Sequence, residues 1–306
     1  MFGYNAEHKL AALGDLPNKP ATELLAQFHD WSPFTRTQAA KALAWQGPSR
    51  VPQLIGALRD PNPAVRRAAT DAVTELCKPW VALKHHPDLK ERDAVAAMQK
   101  QVSAAATPLA NALADPDAWV RCGAAEALSE LGPAAHPVAP ALFKALGDLD
   151  PWVVERAATA LANAGIEGLD KRQLLPAVVW LLKNPRSRTR TAAVKLLDQL
   201  GDDARIAAPQ LLESVRNRCP DSMFGDGPRL NAVELLAKWK APEAVPACLA
   251  LITEKRWGRQ HRCGRAIQIL ATLGPSAKEA VPVLESLAGD TELEKLARKA
   301  LVAIQK

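Results

Sequence analysis

DPDAWVRCGAAEALSELGPAAHPVAPALFKALGDLDPWVVERAATALANAG, residues 115–165, states one pattern twice. Asp115 opens the first copy, Val120, Ala124, Ala127, Leu128 and Leu131 follow at helical spacing, and Gly132 closes it. Thirty-three residues later Asp148, Val153, Ala157, Ala160, Leu161 and Gly165 repeat the series. Between the copies Val138, Ala141, Leu142, Ala145 and Leu146 mark another helix with its own apolar stripe. The unit is therefore a pair of helices joined by an Asp/Pro turn.

Counting from the turn residue as zero extends the pattern along the chain. Anchors fall at Asp30, Asp60, Asp115, Asp148, Asn184, Met223, Trp257 and Ala288. Position +9 is alanine in every unit: Ala39, Ala69, Ala124, Ala157, Ala193, Ala232, Ala266 and Ala297. A small residue is required where two helices cross closely. Position +13 supplies its apolar partner, from Leu43 and Val73 to Leu270 and Leu301. Position +17 is Gly47, Gly132, Gly165, Gly201 and Gly274 in five units, as a left-handed helix terminus prefers. Arg36, Arg66, Arg121, Arg190 and Arg229 recur at +6.

The Asp at zero and the Arg at +6 resemble the charge ladder of HEAT proteins, where the Asp caps a helix or pairs with an Arg of its own or the next unit. The whole unit resembles the HEAT repeat in the version common in bacterial proteins, including those related to phycobilin lyases. That resemblance implies an all-α fold, an α/α superhelix of the HEAT/armadillo-like solenoid type with about seven to eight helix pairs. Residues 1–306 are expected to form one solenoid, with 275–306 as a polar C-terminal cap repeat. Ala6–Gly14 aligns with Ala39–Gly47, so residues 1–17 read as a half-repeat, either a cap or the continuation of a longer polypeptide. Proline at −8, in Pro52, Pro140 and Pro176, is expected to kink the first helix of its pair, a feature of the HEAT family.

Two stretches depart from the period. Residues 78–90, with Pro79, Pro87 and His85–His86, read as a loop insertion, and Leu89 onward as a lengthened first helix running to Leu113. Residues 218–228, rich in Gly, Asp and Pro, read as a second insertion. Such protrusions often touch partners. Neither carries a convincing ion site. Adjacent histidines beside Asp88 lack a distant fourth ligand, and Asp221 and Asp226 lack the alternating oxygens and closing Glu of a calcium loop.

The five cysteines show no ligand spacing and read as small buried hydrophobes. No apolar run reaches the ~18 residues of a membrane span, so no membrane association is expected, and a complete chain would be cytoplasmic. GxSxG, GxGxxG and GxxxxGK[ST] are all absent. Enzymes that resemble HEAT folds leave marks of their own. The His-Glu dipeptides of deoxyhypusine hydroxylase do not occur, and only the proximity of Asp117 and Trp119 echoes the alkylpurine DNA glycosylases. Neither catalysis nor a cofactor is expected, and the protein reads as a monomeric scaffold or adaptor.

What it holds is written more faintly. Trp119, Trp152 and Arg188 occupy +4 in three consecutive units, and Lys195 lies at +11 of the same unit as Arg188. Exposed aromatics beside an arginine at repeat spacing look like anchors of a concave groove for a protein or peptide, or for a preceding domain of a longer parent chain. A second basic patch comprises Arg256, Trp257, Arg259 and Arg265. Residues 171–306 carry 23 Lys and Arg against 14 Asp and Glu, so nucleic-acid binding by this half is the competing reading. The outward row of the second helices nevertheless changes from acidic to basic along the chain, which suits a protein of matching polarity better than a row of phosphates. A bilin lyase is the third reading, supported only by the family resemblance.

Overall fold

A computed structural model describes residues 13–83, 100–218, 226–254, 259–287, 289 and 293–305. Every regular element among them is helical. The chain forms two compact units, Met1–Leu169 and Asp170–Lys306.

The first unit stacks four helical hairpins: α1 (Ala21–Ala26) with α2 (Pro33–Trp45), α3 (Val51–Ala57) with α4 (Pro63–Leu83), α5 (Ala106–Ala112) with α6 (Ala118–Leu131), and α7 (Ala139–Ala145) with α8 (Pro151–Ala164). The second helices pack in sequence, α2 on α4, α4 on α6 and α6 on α8. The second unit repeats the plan with α9 (Lys171–Leu181) and α10 (Ser187–Leu200), α11 (Ala208–Arg216) and α12 (Gly227–Lys238), α13 (Ala244–Thr253) and α14 (Arg259–Leu273), α15 (Val281–Glu285) and α16 (Glu294–Gln305). There α10, α12, α14 and α16 stack in order.

The alanine row is the seam of both stacks. All eight +9 alanines are buried, which lets neighbouring backbones approach. The +13 row is buried from Leu43 to Leu270, but Leu301 is only half-covered. In α16 the buried residues are instead Ala297, Ala300 and Ile304, because no described helix packs beyond it to cover a second apolar row. The five +17 glycines all have positive φ, from 56° to 95°, and Gly14 at the end of the half-repeat has φ 55°.

Three expectations are corrected. Residues 78–83 are not loop, since α4 runs through Pro79 to Leu83; Leu76 and Cys77 are buried and hold the helix on its neighbours up to that point. The first helix of the next hairpin is not continuous either, because a turn at Ala104–Ala105 separates the helical residues 100–103 from α5. Most of the inserted residues, 84–99, lie outside the described residues, as do 1–12 and 219–225. Pro52 and Pro140 do not kink a helix interior: they stand in the first turns of α3 and α7, where the missing N–H has no partner to lose. Only Pro176 lies inside its helix, α9.

Capping is divided between two side chains rather than given to the turn aspartate. The residue at zero folds the turn: Asp30, Asp60, Asp115, Asp148 and Asn184 each accept from the backbone N–H two residues on, at 2.7–2.9 Å. The +2 residue then caps the helix. Ser32, Asn62, Asp117 and Asp150 accept from first-turn N–H groups.

Candidate interaction face

The turns of the first unit are joined by arginine. Arg66 donates to its own turn carbonyls, Asp60 O at 2.9 Å and Pro61 O at 3.0 Å, and reaches Asp115 of the next hairpin through Nε at 2.7 Å and Nη2 at 2.9 Å. Arg121 does the same, to Asp115 O and Pro116 O behind and to Asp148 ahead. Burial alone would raise Asp148, but hydrogen bonds from Arg121 and the Asp150 N–H outweigh it and hold the carboxyl below its ordinary value. This ladder is structural, since each member faces a repeat neighbour.

In the second unit the arginines turn inward. Arg190 donates to Asn184 O at 2.6 Å and to the carbonyls of Ser214 and Asn217 at the end of α11. Arg229 and Arg262 are both buried and share Asp226, at 2.9 Å to Oδ1 and 3.0 Å to Oδ2; Arg229 also lies 2.7 Å from Glu254. Arg262 additionally donates to Leu251 O and Glu254 O, the unsatisfied carbonyls that close α13. Sequence reasoning missed this cluster because Arg262 sits inside a basic run that looks solvated. Asp226, considered as an ion ligand, is instead the counter-charge of two arginines. Among the described residues no group of His, Cys, Asp and Glu could hold a metal.

A second set of bonds ties the outward face of the second helices together, and its register is the same in both units. Arg156 at +8 pairs with Glu126 at +11 of the preceding hairpin, 2.9 Å apart; Arg265 and Glu234 stand in the same relation at 2.8 Å. Asn163 at +15 donates to Ser129 at +14 of the preceding hairpin, and Lys238 pairs with Asp198 in that register. Arg67 reaches Asp117 of the next hairpin, and this bond is the chief reason the Asp117 carboxyl is held low. Charges on this face are therefore largely preoccupied.

Its aromatic residues are not covered. Trp119 is 65% exposed and Trp152 46%, the latter with the Arg156 guanidinium 5.4 Å from its ring. Phe34, 72% exposed, occupies the same +4 register in α2, while Trp31 and Leu149 stand exposed at +1. The exposed large apolar residues at these positions are thus Trp31 and Phe34 in the first hairpin and Trp119, Leu149 and Trp152 in the third and fourth, with Pro61 and Ala64 between them. Counting +1 and +4 together would have found Trp31, Phe34 and Leu149 in the sequence. In the second unit Arg188 is exposed in the first turn of α10. Lys195 lines a cleft of about 350 Å³ between α10 and α12, and Arg265 lines an adjoining one of about 850 Å³ beside α12 and α14. Arg256 and Trp257 lie outside the described residues; Arg259 opens α14, with only its backbone described.

Stacked helical hairpins with a buried alanine seam, an Asp–Arg turn ladder and an outward row of aromatics define a repeat scaffold of the α/α solenoid class. The model of the HEAT-repeat family matches residues 20–84, 78–162 and 139–223, and the chain belongs to that family. No curated protein matches it by sequence. Among solved structures, the X-ray structure of YibA from Escherichia coli superposes with a TM-score of 0.62 at 17% identity, covering 97% of this chain and 96% of that one. Importin beta, crystallised in polyethylene glycol, superposes with a TM-score of 0.55 at 14% identity, covering 99% of this chain and 44% of its own. At these identities the likeness establishes the fold alone. No helix among the described residues is long and apolar enough to cross a membrane.

Proposed function

We propose that this protein is a binding scaffold rather than an enzyme, and that the outward face of its second helices receives a protein or peptide partner. The observation that carries this reading is the exposure of Trp119 and Trp152 in one register of adjacent hairpins, extended by Phe34. Uncovered indoles at repeat spacing offer large, rigid contact area at low entropic cost. Cross-helix pairs such as Arg156–Glu126 hold the surrounding surface in place before binding, which lowers the cost of ordering it. Arg188 and Lys195 add cationic contacts in the second unit.

The nucleic-acid alternative draws its support from the positive balance of residues 171–306. Three of those cations, Arg190, Arg229 and Arg262, are buried on internal acceptors and do not contribute to a surface for phosphates. Trp119→Ala combined with Trp152→Ala should abolish partner capture in a pull-down while the helical circular dichroism spectrum is unchanged. Capture equal to that of the parent chain removes the aromatic face from the reading.

A further inference from the structure

Lys240 stands at +17 of the sixth hairpin, where five other hairpins place a glycine of positive φ. Its own φ is 53°, and no other non-glycine among the described residues has a positive value. The local hydrogen bonds show why the conformation is imposed. Lys240 N donates to Ala237 O at 2.9 Å and Ala241 N to Leu236 O at 3.0 Å, the paired bonds of a Schellman terminus whose penultimate residue must be left-handed. A side chain is strained there and glycine is not. Five other hairpins meet this need with glycine, so Lys240 carries a backbone strain that a favourable contact of its side chain would offset.

That side chain borders the larger cleft of the second unit, about 850 Å³. The other cations lining it are held by neighbours: Arg265 by Glu234 at 2.8 Å and Gln268 at 3.4 Å, and Lys238 by Asp198. Lys240 is exposed, and its ammonium has no hydrogen-bond or ion-pair partner among the described residues. Beside it the lining is mixed: Ala241, Pro242 and Leu273 supply apolar surface, and Gln268, Thr272 and Glu279 polar groups. The smaller cleft adjoins it and shares Glu234 and Lys238. The pair therefore offers a run of surface along the second helices instead of a closed cavity, which suits an extended segment of chain.

We propose that this cleft docks an acidic segment of a partner protein, with one of its carboxylates paired to the Lys240 ammonium and neighbouring apolar side chains seated on Ala241, Pro242 and Leu273. With Arg190, Arg229 and Arg262 set aside as buried, residues 171–306 still carry more Lys and Arg than Asp and Glu, and that remaining surplus attracts such a segment. Pro242 and Leu273 beside Lys240 offer apolar seats that the side chains of a peptide can fill and a sugar-phosphate backbone cannot. This site is separate from the aromatic row of the first unit and stands or falls independently of it.

The test is fluorescence anisotropy on the full chain with a short fluorescein-labelled peptide of alternating Glu and Leu, beside its Lys/Leu counterpart and a labelled single-stranded DNA. Saturable binding of the Glu/Leu peptide is expected, with none of the Lys/Leu peptide. Lys240→Gly should weaken it about threefold and Lys240→Glu further, while Lys240→Arg retains it. Lys240→Gly should also melt about 2 °C or more higher, because glycine accepts the left-handed conformation without strain. A Lys240→Gly protein that is more stable and binds the peptide as well as the parent makes Lys240 a tolerated helix terminus and overturns the proposal. So does tighter binding of the DNA than of the Glu/Leu peptide, or no binding of that peptide at all.

Discussion

Arg121 and Asp148, one repeat apart, meet as a two-pronged pair: Nε lies 2.7 Å from Oδ2 and Nη2 3.0 Å from Oδ1, while Nη1 stays on the carbonyls of the turn behind. One side chain thus fixes two successive turns. Arg66 makes the same bonds to Asp115 across 49 residues of sequence, so the insertion after α4 does not disturb the ladder.

Removing one partner strands the other. Arg121→Ala leaves the partly buried Asp148 without its counter-charge, and should cost about 1–2 kcal/mol in urea denaturation. Arg121→Ala combined with Asp148→Asn should recover a good part of that loss. A single-variant cost near zero would show that the ladder contributes no stability.

Acid should weaken the first unit in a defined direction. Arg67 lowers the Asp117 carboxyl, and Asp148 is also held below its ordinary value. A carboxylate depressed in the folded state contributes stability that is complete above its unfolded value, about pH 4, and is lost as pH falls through the folded value. Thermal melts should therefore fall below pH 4 more steeply for the parent chain than for Asp148→Asn.

Gly123 is needed for close approach rather than for backbone freedom. A Cβ there would lie 2.2 Å from Thr70 Oγ1 and 2.9 Å from Thr70 Cβ, between α6 and α4. Gly123→Ala should destabilise by about 1–3 kcal/mol. Part of that cost should disappear in a Thr70→Ala background, which removes the nearest atom, and a double-mutant cycle measures the coupling.

Cysteine reactivity should report unfolding. Cys77, Cys122, Cys248 and Cys263 are buried, and burial pushes the thiols of Cys77 and Cys248 up to about 12. Iodoacetamide at pH 8 should leave all four unmodified in the native protein and alkylate them in urea, as followed by peptide mass spectrometry.

Repetition made the framework legible. The packing demand at each crossing is local and recurs in every hairpin, so the +9 alanines, the +13 row and the +17 glycines stand out from spacing alone. The helix pairs and the buried seam followed from volume and backbone geometry. What spacing could not determine were relations between hairpins, since these depend on how far and at what angle one pair rests on the next. Only the stacked structure decided that Arg66 takes Asp115, that Arg262 is wholly buried against Asp226 although its neighbours in sequence are basic, and how far Trp31, Phe34, Trp119 and Trp152 stand exposed. Lys240 belongs to the same class: its residue type is plain in the sequence, but the cleft beside it and the positive φ it accepts arise from the tertiary fold.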